Sequence, residues 1–103
     1  MGFVAVGPTR DADRDRRTTG ELMAIMVDGN QRGFGVGSAL MAAGERAMRA
    51  HGLATATLSV VPENTRAVRF YEHCGWVVDG TQKRMSIGGQ ELTAVRYQKT
   101  LGV

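Results

Sequence analysis

The sequence has little of what would build a metal cluster, a disulfide framework or a membrane span. Cys74 is its one cysteine and it contains two histidines, so an intrachain disulfide is excluded and no His/Cys/carboxylate group has metal-ligand spacing. It contains no apolar run long enough to cross a bilayer, and no charged segment followed by an apolar stretch at its start. These shortages predict a protein without a bound metal or membrane contact, located in the cytoplasm.

Lysine is also scarce, and arginine carries most of the positive charge. The 103 residues include 13 Lys and Arg against 10 Asp and Glu, a formal net charge of +3. Charges of alternating sign in residues 10–17 are typical of a solvated loop rather than of a nucleic-acid-binding stripe. We therefore expect no nucleic-acid partner, although a mildly basic surface suits a polyanionic cofactor.

The length and the hydrophobic content of 43% predict one small domain over residues 1–103 with a thin core. Hydrophobic periodicity predicts strands over residues 2–7, 20–27 and 53–61, and final strands at 76–78 and 91–101. Helices are predicted from about residue 38 to 51 and over residues 65–74. The order β-β-α-β-α-β-β predicts an α/β layered sandwich with a mixed, mainly antiparallel sheet.

Finer features follow from the same pattern. The first two strands are expected to form an antiparallel hairpin, and turns are predicted at residues 79–80 and 87–90. Gly44 is expected to contact the sheet closely. The apolar face of the first helix is predicted to comprise Leu40, Gly44, Ala47 and Met48, with Glu45, Arg46 and Arg49 on the other side.

Glycine, in contrast, is abundant, and Gly33, Gly35 and Gly37 alternate between an apolar run and a helical pattern. Alternating glycines let backbone N–H groups line a concave surface, and the start of a helix adds unpaired N–H groups and a positive dipole end. The segment predicts an anion-binding turn, to which Arg32 adds a charge. A glycine-rich connection without a ligand is the alternative.

Two known phosphate loops do not fit this turn. A P-loop requires a lysine directly after its last glycine, and the lysines of this chain are Lys83 and Lys99. The dinucleotide fingerprint requires G-x-G-x-x-G and a carboxylate about 20 positions later, whereas the spacing here is G-x-G-x-G and residues 55–57 are not acidic. A nucleotide-binding protein is therefore the weakest alternative.

Residues 32–37, Arg-Gly-Phe-Gly-Val-Gly, resemble the Q/R-x-x-G-x-G/A signature of the GNAT superfamily of acyl-CoA-dependent N-acyltransferases. Residues 64–76, Asn-Thr-Arg-Ala-Val-Arg-Phe-Tyr-Glu-His-Cys-Gly-Trp, resemble its N-x-x-A-x-x-F-Y-x-x-x-G-[WF] segment. The resemblance covers about residues 20–78 and begins at the third strand of the family. It implies a GNAT-like sandwich that lacks the usual N-terminal strand-helix-helix-strand part.

The resemblance implies acetyl-CoA, or coenzyme A after transfer, as the acyl carrier. The pantetheine arm is expected along Ile25, Met26 and Val27, with Asn64 and Tyr71 also in contact with the cofactor. Asn64 equally fits a helix N-cap. The pyrophosphate is expected on Arg32, Gly33, Gly35, Val36, Gly37 and Ser38.

The resemblance also implies two catalytic residues. Tyr71 matches the tyrosine that protonates the departing thiolate, and packing on the sheet is its alternative. Glu21 resembles a position where some members keep a carboxylate as general base, and a solvated charge is its alternative. The expected reaction is transfer of an acetyl group from acetyl-CoA to a primary amine by direct attack in a ternary complex.

Two other functions stay open. The chain fits a non-catalytic acyl-CoA-binding or regulatory module, and it fits a subunit that completes a larger acyltransferase. Residues 2–7 would leave an apolar strand at an exposed sheet edge, which proteins usually cover or pair. We therefore expect either a homodimer that covers this edge or a chain that is part of a longer protein.

Overall fold

The computed structural model describes residues 2–27 and 35–102. Its elements follow the predicted order β-β-α-β-α-β-β, which confirms the expected α/β class. Within the described residues, neither helix is long and apolar enough to cross a membrane. The strands are β1 (Gly2–Pro8), β2 (Thr19–Val27), β3 (Thr55–Val60), β4 (Val77–Ile87) and β5 (Gln90–Thr100), and the helices are α1 (Gly35–Ala50) and α2 (Thr65–His73).

The strands form a mixed five-stranded sheet in the order β1-β2-β3-β5-β4. Strand β1 pairs antiparallel with β2, β2 pairs parallel with β3, and β4 pairs antiparallel with β5. The predicted mixed sheet and the predicted first hairpin are therefore confirmed. The chain divides into two compact units, residues 1–57 with 100–103 and residues 58–99.

In the first unit, α1 packs on the hairpin of β1 and β2. Gly44 lies so close to β1 that a Cβ atom there would be 3.2 Å from a methyl group of Val4 and 3.2 Å from one of Val6. The predicted close contact at Gly44 is therefore confirmed, because only a residue without a side chain fits there unless β1 moves.

The buried face of α1 differs from the predicted one. Glu45, predicted on the solvent side, is buried, and Ala47, predicted on the apolar side, is exposed. Met41, which the prediction omitted, is 2% exposed, and Met48 is 1% exposed. Methionine removes far more apolar area from water than alanine does, so the two methionines, seven positions apart, set which face turns inward.

The second unit contains α2, which begins and ends as the sequence predicts. Asn64 caps the helix, since its Oδ1 accepts a hydrogen bond from the Ala67 N–H at 3.3 Å. Gly75 follows the helix at a φ of 93°, a conformation that favours glycine. None of the nine described residues of α2 is buried. The buried apolar residues of this unit include Leu58, Val60, Trp76, Ala94 and Tyr97.

The predicted turn at residues 79–80 is wrong, because β4 continues through it as a bulge. Val78 pairs with Tyr97 and Gln82 with Val95, so three residues of β4 face Arg96 of β5. The guanidinium of Arg96 donates to Asp79 Oδ2 at 2.6 Å and to Thr81 Oγ1 at 3.1 Å. This buried ion pair holds the extra residues within the sheet, where the local sequence alone favours a turn.

Candidate functional site

Strand β2 loses one of its two partners partway along its length. Its parallel pairing with β3 covers the three residues from Thr19 to Glu21, whereas its antiparallel pairing with β1 continues to Val27. From Leu22 onward, the described strands therefore pair β2 on the β1 side alone. The other edge of this stretch presents backbone N–H and C=O groups that an extended ligand could pair with.

A β-bulge lies at the start of this stretch. Leu22 pairs with Val6 and Ala24 with Ala5, so Met23 is an extra residue in β2. A bulge of this kind bends a strand and increases its local twist, and bulges are frequent beside active sites. The bulge accounts physically for a strand that keeps one partner and leaves the other.

The predicted pantetheine residues lie on this stretch. Ile25 is half-buried in β2. Met26 and Val27 also belong to β2, and their side chains lie outside the described part of the chain. Arg32 and Gly33, predicted to bind pyrophosphate, lie outside the described residues.

The other predicted pyrophosphate residues form the first turn of α1, which begins at Gly35 rather than near Gly37. This turn contains no acidic residue that would compete for its N–H groups. A Cβ at Gly35 would meet no described atom within 4 Å. Packing within the described chain therefore does not require glycine at this position.

Glu21, at the end of the paired part of β2, is an almost buried carboxylate held by Arg10. Glu21 Oε2 accepts a hydrogen bond from Arg10 Nη2 at 2.6 Å, and Oε1 accepts one from the Arg10 backbone N–H at 2.9 Å. The Glu21 side chain is 11% exposed, whereas that of Arg10 is 66% exposed. The sequence did not single out Arg10, because it lies in the charged run that reads as a solvated loop.

Two opposing effects set the pKa of Glu21. Burial of the carboxyl acts to raise it, but the two hydrogen bonds and the charge of Arg10 act to lower it and prevail. The net pKa of Glu21 therefore lies below its ordinary value, and the group stays ionised throughout the neutral range. Ionised Glu21 can therefore accept a proton as a base, but because of its low pKa it binds that proton weakly.

The face of the first unit that carries Glu21 also carries a threonine cluster, defined here as Thr9, Thr19, Thr55 and Thr57. A Cβ at Gly20 would meet Met48 of α1, so the next residue, Glu21, lies on the face away from α1. Thr57 pairs with Glu21 and Thr55 with Thr19, and register partners share a face. Thr9, Thr19 and Thr57 are buried.

Thr57 has an unusual environment within this cluster. Its residue is 1% exposed, and its Oγ1 is one of two buried polar side-chain atoms in the described residues that lack a hydrogen-bond partner. The other is Trp76 Nε1, in the second unit. Leaving a buried hydroxyl unpaired costs about 1–3 kcal/mol. The sequence interpretation missed Thr57, because a β-branched residue in a strand needs no other explanation.

The second unit contains the remaining predicted residues, Asn64 and Tyr71, both on or beside α2. Asn64 Oδ1 accepts the N-cap hydrogen bond. The NH2 group of this exposed side chain has no described partner. Tyr71 is half-buried, with its ring centroid 5.5 Å from that of Phe70. Burial, with a smaller contribution from Cys74, raises the pKa of the Tyr71 hydroxyl, which therefore remains a neutral donor at physiological pH.

A cavity of about 540 Å³ in the first unit lies away from Glu21. It opens on the α1 side of the hairpin, which is opposite to the face that carries Glu21. None of the predicted site residues lines it among the described residues. Its walls are formed by Val6, Gly7, Pro8, Arg16, Arg17, Ala47, Met48, His51 and Leu53.

The pair of Arg10 and Glu21 should contribute stability that depends on pH. Because the folded-state pKa of Glu21 lies below its ordinary value of 4.5, this contribution is present above that pH and is lost as the pH falls through the folded-state pKa. Arg10→Met should therefore lower the free energy of unfolding by about 1 kcal/mol at pH 7 and by less at pH 3.

Chemical denaturation at both pH values measures this difference. Arg17→Met is the matched control, since Arg17 is an exposed arginine that pairs with Asp15 and not with Glu21. An equal loss of stability at pH 7 and pH 3 in the Arg10 variant would contradict the assigned ion pair.

Comparisons with known proteins identify the family of this chain. Residues 1–76 match the model of the acetyltransferase (GNAT) family. Mycothiol acetyltransferase from Thermobispora bispora is 43% identical over 68 residues, which are 63% of this chain and 23% of that protein. The corresponding protein from Streptosporangium roseum is 39% identical over 82 residues, which are 77% of this chain and 24% of that protein. The chain thus spans about a quarter of the length of these curated relatives.

Solved structures share the fold. Ard1 from Thermoplasma volcanium has a TM-score of 0.75 and 26% identity, with 96% of this chain and 62% of that chain covered. The protein yncA from Salmonella typhimurium, solved with its cofactor acetyl-CoA, has a TM-score of 0.77 and 22% identity, with 97% and 57% covered. The family match, the fold and the glycine-rich entry to α1 together show that this chain belongs to the GNAT acetyltransferase family.

Proposed function

We propose that this chain binds acetyl-CoA and transfers its acetyl group to a primary amine by direct attack within a ternary complex. The observation that carries this proposal is the edge of β2 beyond Glu21, which the described strands leave without a β3 partner. An extended pantetheine arm contains amide groups that can pair with such an edge in the manner of an added strand. Ile25, Met26 and Val27 are the proposed contacts.

The pyrophosphate is proposed to bind at the start of α1. Its first turn supplies backbone N–H groups and the positive end of the helix dipole, with no carboxylate nearby in sequence. Gly35 leaves open space at this turn. The proposed contacts are Arg32, Gly33, Gly35, Val36, Gly37 and Ser38, with Asn64 as a further contact to the pantetheine part.

The proposed acetyl transfer uses Glu21 as the proton acceptor and Tyr71 as the proton donor. An ammonium acceptor first gives one proton to Glu21, which passes it to solvent because the lowered pKa of Glu21 holds it weakly. The free amine nitrogen then forms a bond to the thioester carbon, and the carbon–sulfur bond breaks with its electron pair on sulfur. Tyr71 gives its proton to that thiolate. The resulting phenolate then takes the proton that the attacking nitrogen loses as the amide forms. The net products are the amide, coenzyme A and one proton.

Gly35→Ala tests the proposed cofactor site. The added methyl group should weaken acetyl-CoA binding at least about tenfold by obstructing the pyrophosphate, while fold stability stays equal or rises by up to about 1 kcal/mol because alanine favours a helix. Isothermal titration calorimetry with acetyl-CoA, and thermal melting with acetyl-CoA, coenzyme A and ATP, measure these effects.

Ala39→Gly is the matched control, since it changes helix propensity on the same helix at an exposed position. We expect it to lower stability and leave acetyl-CoA affinity unchanged. No binding of acetyl-CoA by the wild-type chain would refute the proposed function. Binding without coenzyme A release in the presence of amines would favour the non-catalytic acyl-CoA-binding module.

Tyr71→Phe tests the proposed proton donor. Turnover should fall about 10²-fold or more, whereas acetyl-CoA affinity should change little, because the hydroxyl acts on the leaving thiolate. The matched control is Tyr97→Phe, which removes the hydrogen bond from the Tyr97 hydroxyl to Glu72 Oε2 and should lower stability without a comparable loss of turnover. Equal turnover in Tyr71→Phe and wild type would remove Tyr71 from the mechanism.

We also propose that the chain forms a homodimer through the free edge of β1. This strand is an edge of the sheet, and Phe3 on it is 55% exposed. Phe3→Lys should convert a dimer to a monomer in light scattering, because an edge lysine opposes strand pairing. Ile87→Lys, on the opposite edge strand β4, should leave the dimer intact, and a monomeric wild type would contradict the proposal. The cytoplasmic location stays a prediction.

A further inference from the structure

We propose that the hydroxyl of Thr57 is the second contact, beside the carboxylate of Glu21, that holds the nitrogen of the acceptor amine. This inference rests on the proposed function and adds a residue that the family resemblance does not supply. It starts from a buried hydroxyl without a partner beside a buried carboxylate, in the same unit and on the same face of the sheet.

The register brings the two side chains together. Thr57 of β3 is the direct partner of Glu21 in β2, and neighbouring strands lie about 4.8 Å apart. The two residues form the last pair before β2 continues without β3. Backbone groups beyond this pair are those proposed to hold the acyl carrier, so an amine at the pair would lie at the end of the pantetheine arm.

The hydrogen-bonding capacities of the two groups match an ammonium. Both oxygens of Glu21 accept from Arg10, and each carboxylate oxygen retains a second lone pair. The hydroxyl of Thr57 has one donor and two acceptor positions, none of them engaged in the described residues. An ammonium could donate one N–H to Glu21 and one to Thr57. Once Glu21 takes its proton, the nitrogen keeps its bond to Thr57 and gains a lone pair for attack.

A purely structural role explains Thr57 poorly. Thr9, in the same cluster, has a structural role, because its Oγ1 accepts a hydrogen bond from the Asp11 N–H at 3.1 Å. Thr57 makes no such bond. Valine has the same shape and the same strand preference without a hydroxyl to desolvate, so packing alone would favour valine at this position.

The test compares Thr57→Val and Thr57→Ser with Thr55→Val, a control on the same strand and face. In the free protein, the Thr57 hydroxyl makes no hydrogen bond to Glu21. Thr57→Val should therefore leave the pKa of Glu21, followed by ¹³C NMR of its carboxyl carbon, unchanged in the free protein. The same result is expected of Thr57→Ser and Thr55→Val. The melting temperature of Thr57→Val should be equal or higher.

Coenzyme A release with alanine amide, glucosamine and spermidine as acceptor probes gives the second measurement. Thr57→Val should lower kcat/KM for the amine at least about tenfold, with unchanged acetyl-CoA affinity, and Thr57→Ser should recover most of the rate. Unchanged kcat/KM for the amine in Thr57→Val would overturn this inference while the proposed function stands. Failure of the wild type to bind acetyl-CoA would refute the proposed function and this role together.

Discussion

Strand β2 must satisfy two opposing requirements, and the geometry of the candidate site depends on how it does so. It stays paired with β1 to its last residue, yet it pairs with β3 over three residues alone. The bulge at Met23 makes this possible, because one extra residue bends the strand without ending it. A regular strand would have continued its ladder with β3 and left no free backbone for an acyl carrier.

The two faces of the first unit differ in polarity and in packing. The face toward α1 is apolar and tightly packed, with Gly44 against β1 and Met41 and Met48 buried. The opposite face carries the threonine cluster and the carboxylate of Glu21, which Arg10 keeps ionised. A thin core can tolerate such a polar face because the charge of Glu21 is paired with Arg10 and the Thr9 hydroxyl accepts a hydrogen bond.

Local patterns in the sequence were sufficient for the element order, the first hairpin, the Asn64 cap and the close contact at Gly44. Each of these depends on a few neighbouring residues and on one physical rule. The inward face of α1 and the bulge at Asp79 were predicted wrongly, because both depend on partners distant in sequence, namely the hairpin and Arg96. The same reason hid Arg10 and Thr57. The hydrogen bonds of Arg10 and the register of Thr57 become apparent only when β1, β2 and β3 are brought together.

The ion pair between β4 and β5 limits which substitutions this sequence can accept. Arg96 and Asp79 are 3% and 5% exposed, so neither charge can be relieved by water if its partner is lost. Replacing one of the two residues leaves an unpaired charge in the interior, whereas replacing both with apolar side chains removes both charges. Homologous chains should therefore keep both residues or neither, and this covariation would trace the bulge through the family even where overall similarity has faded.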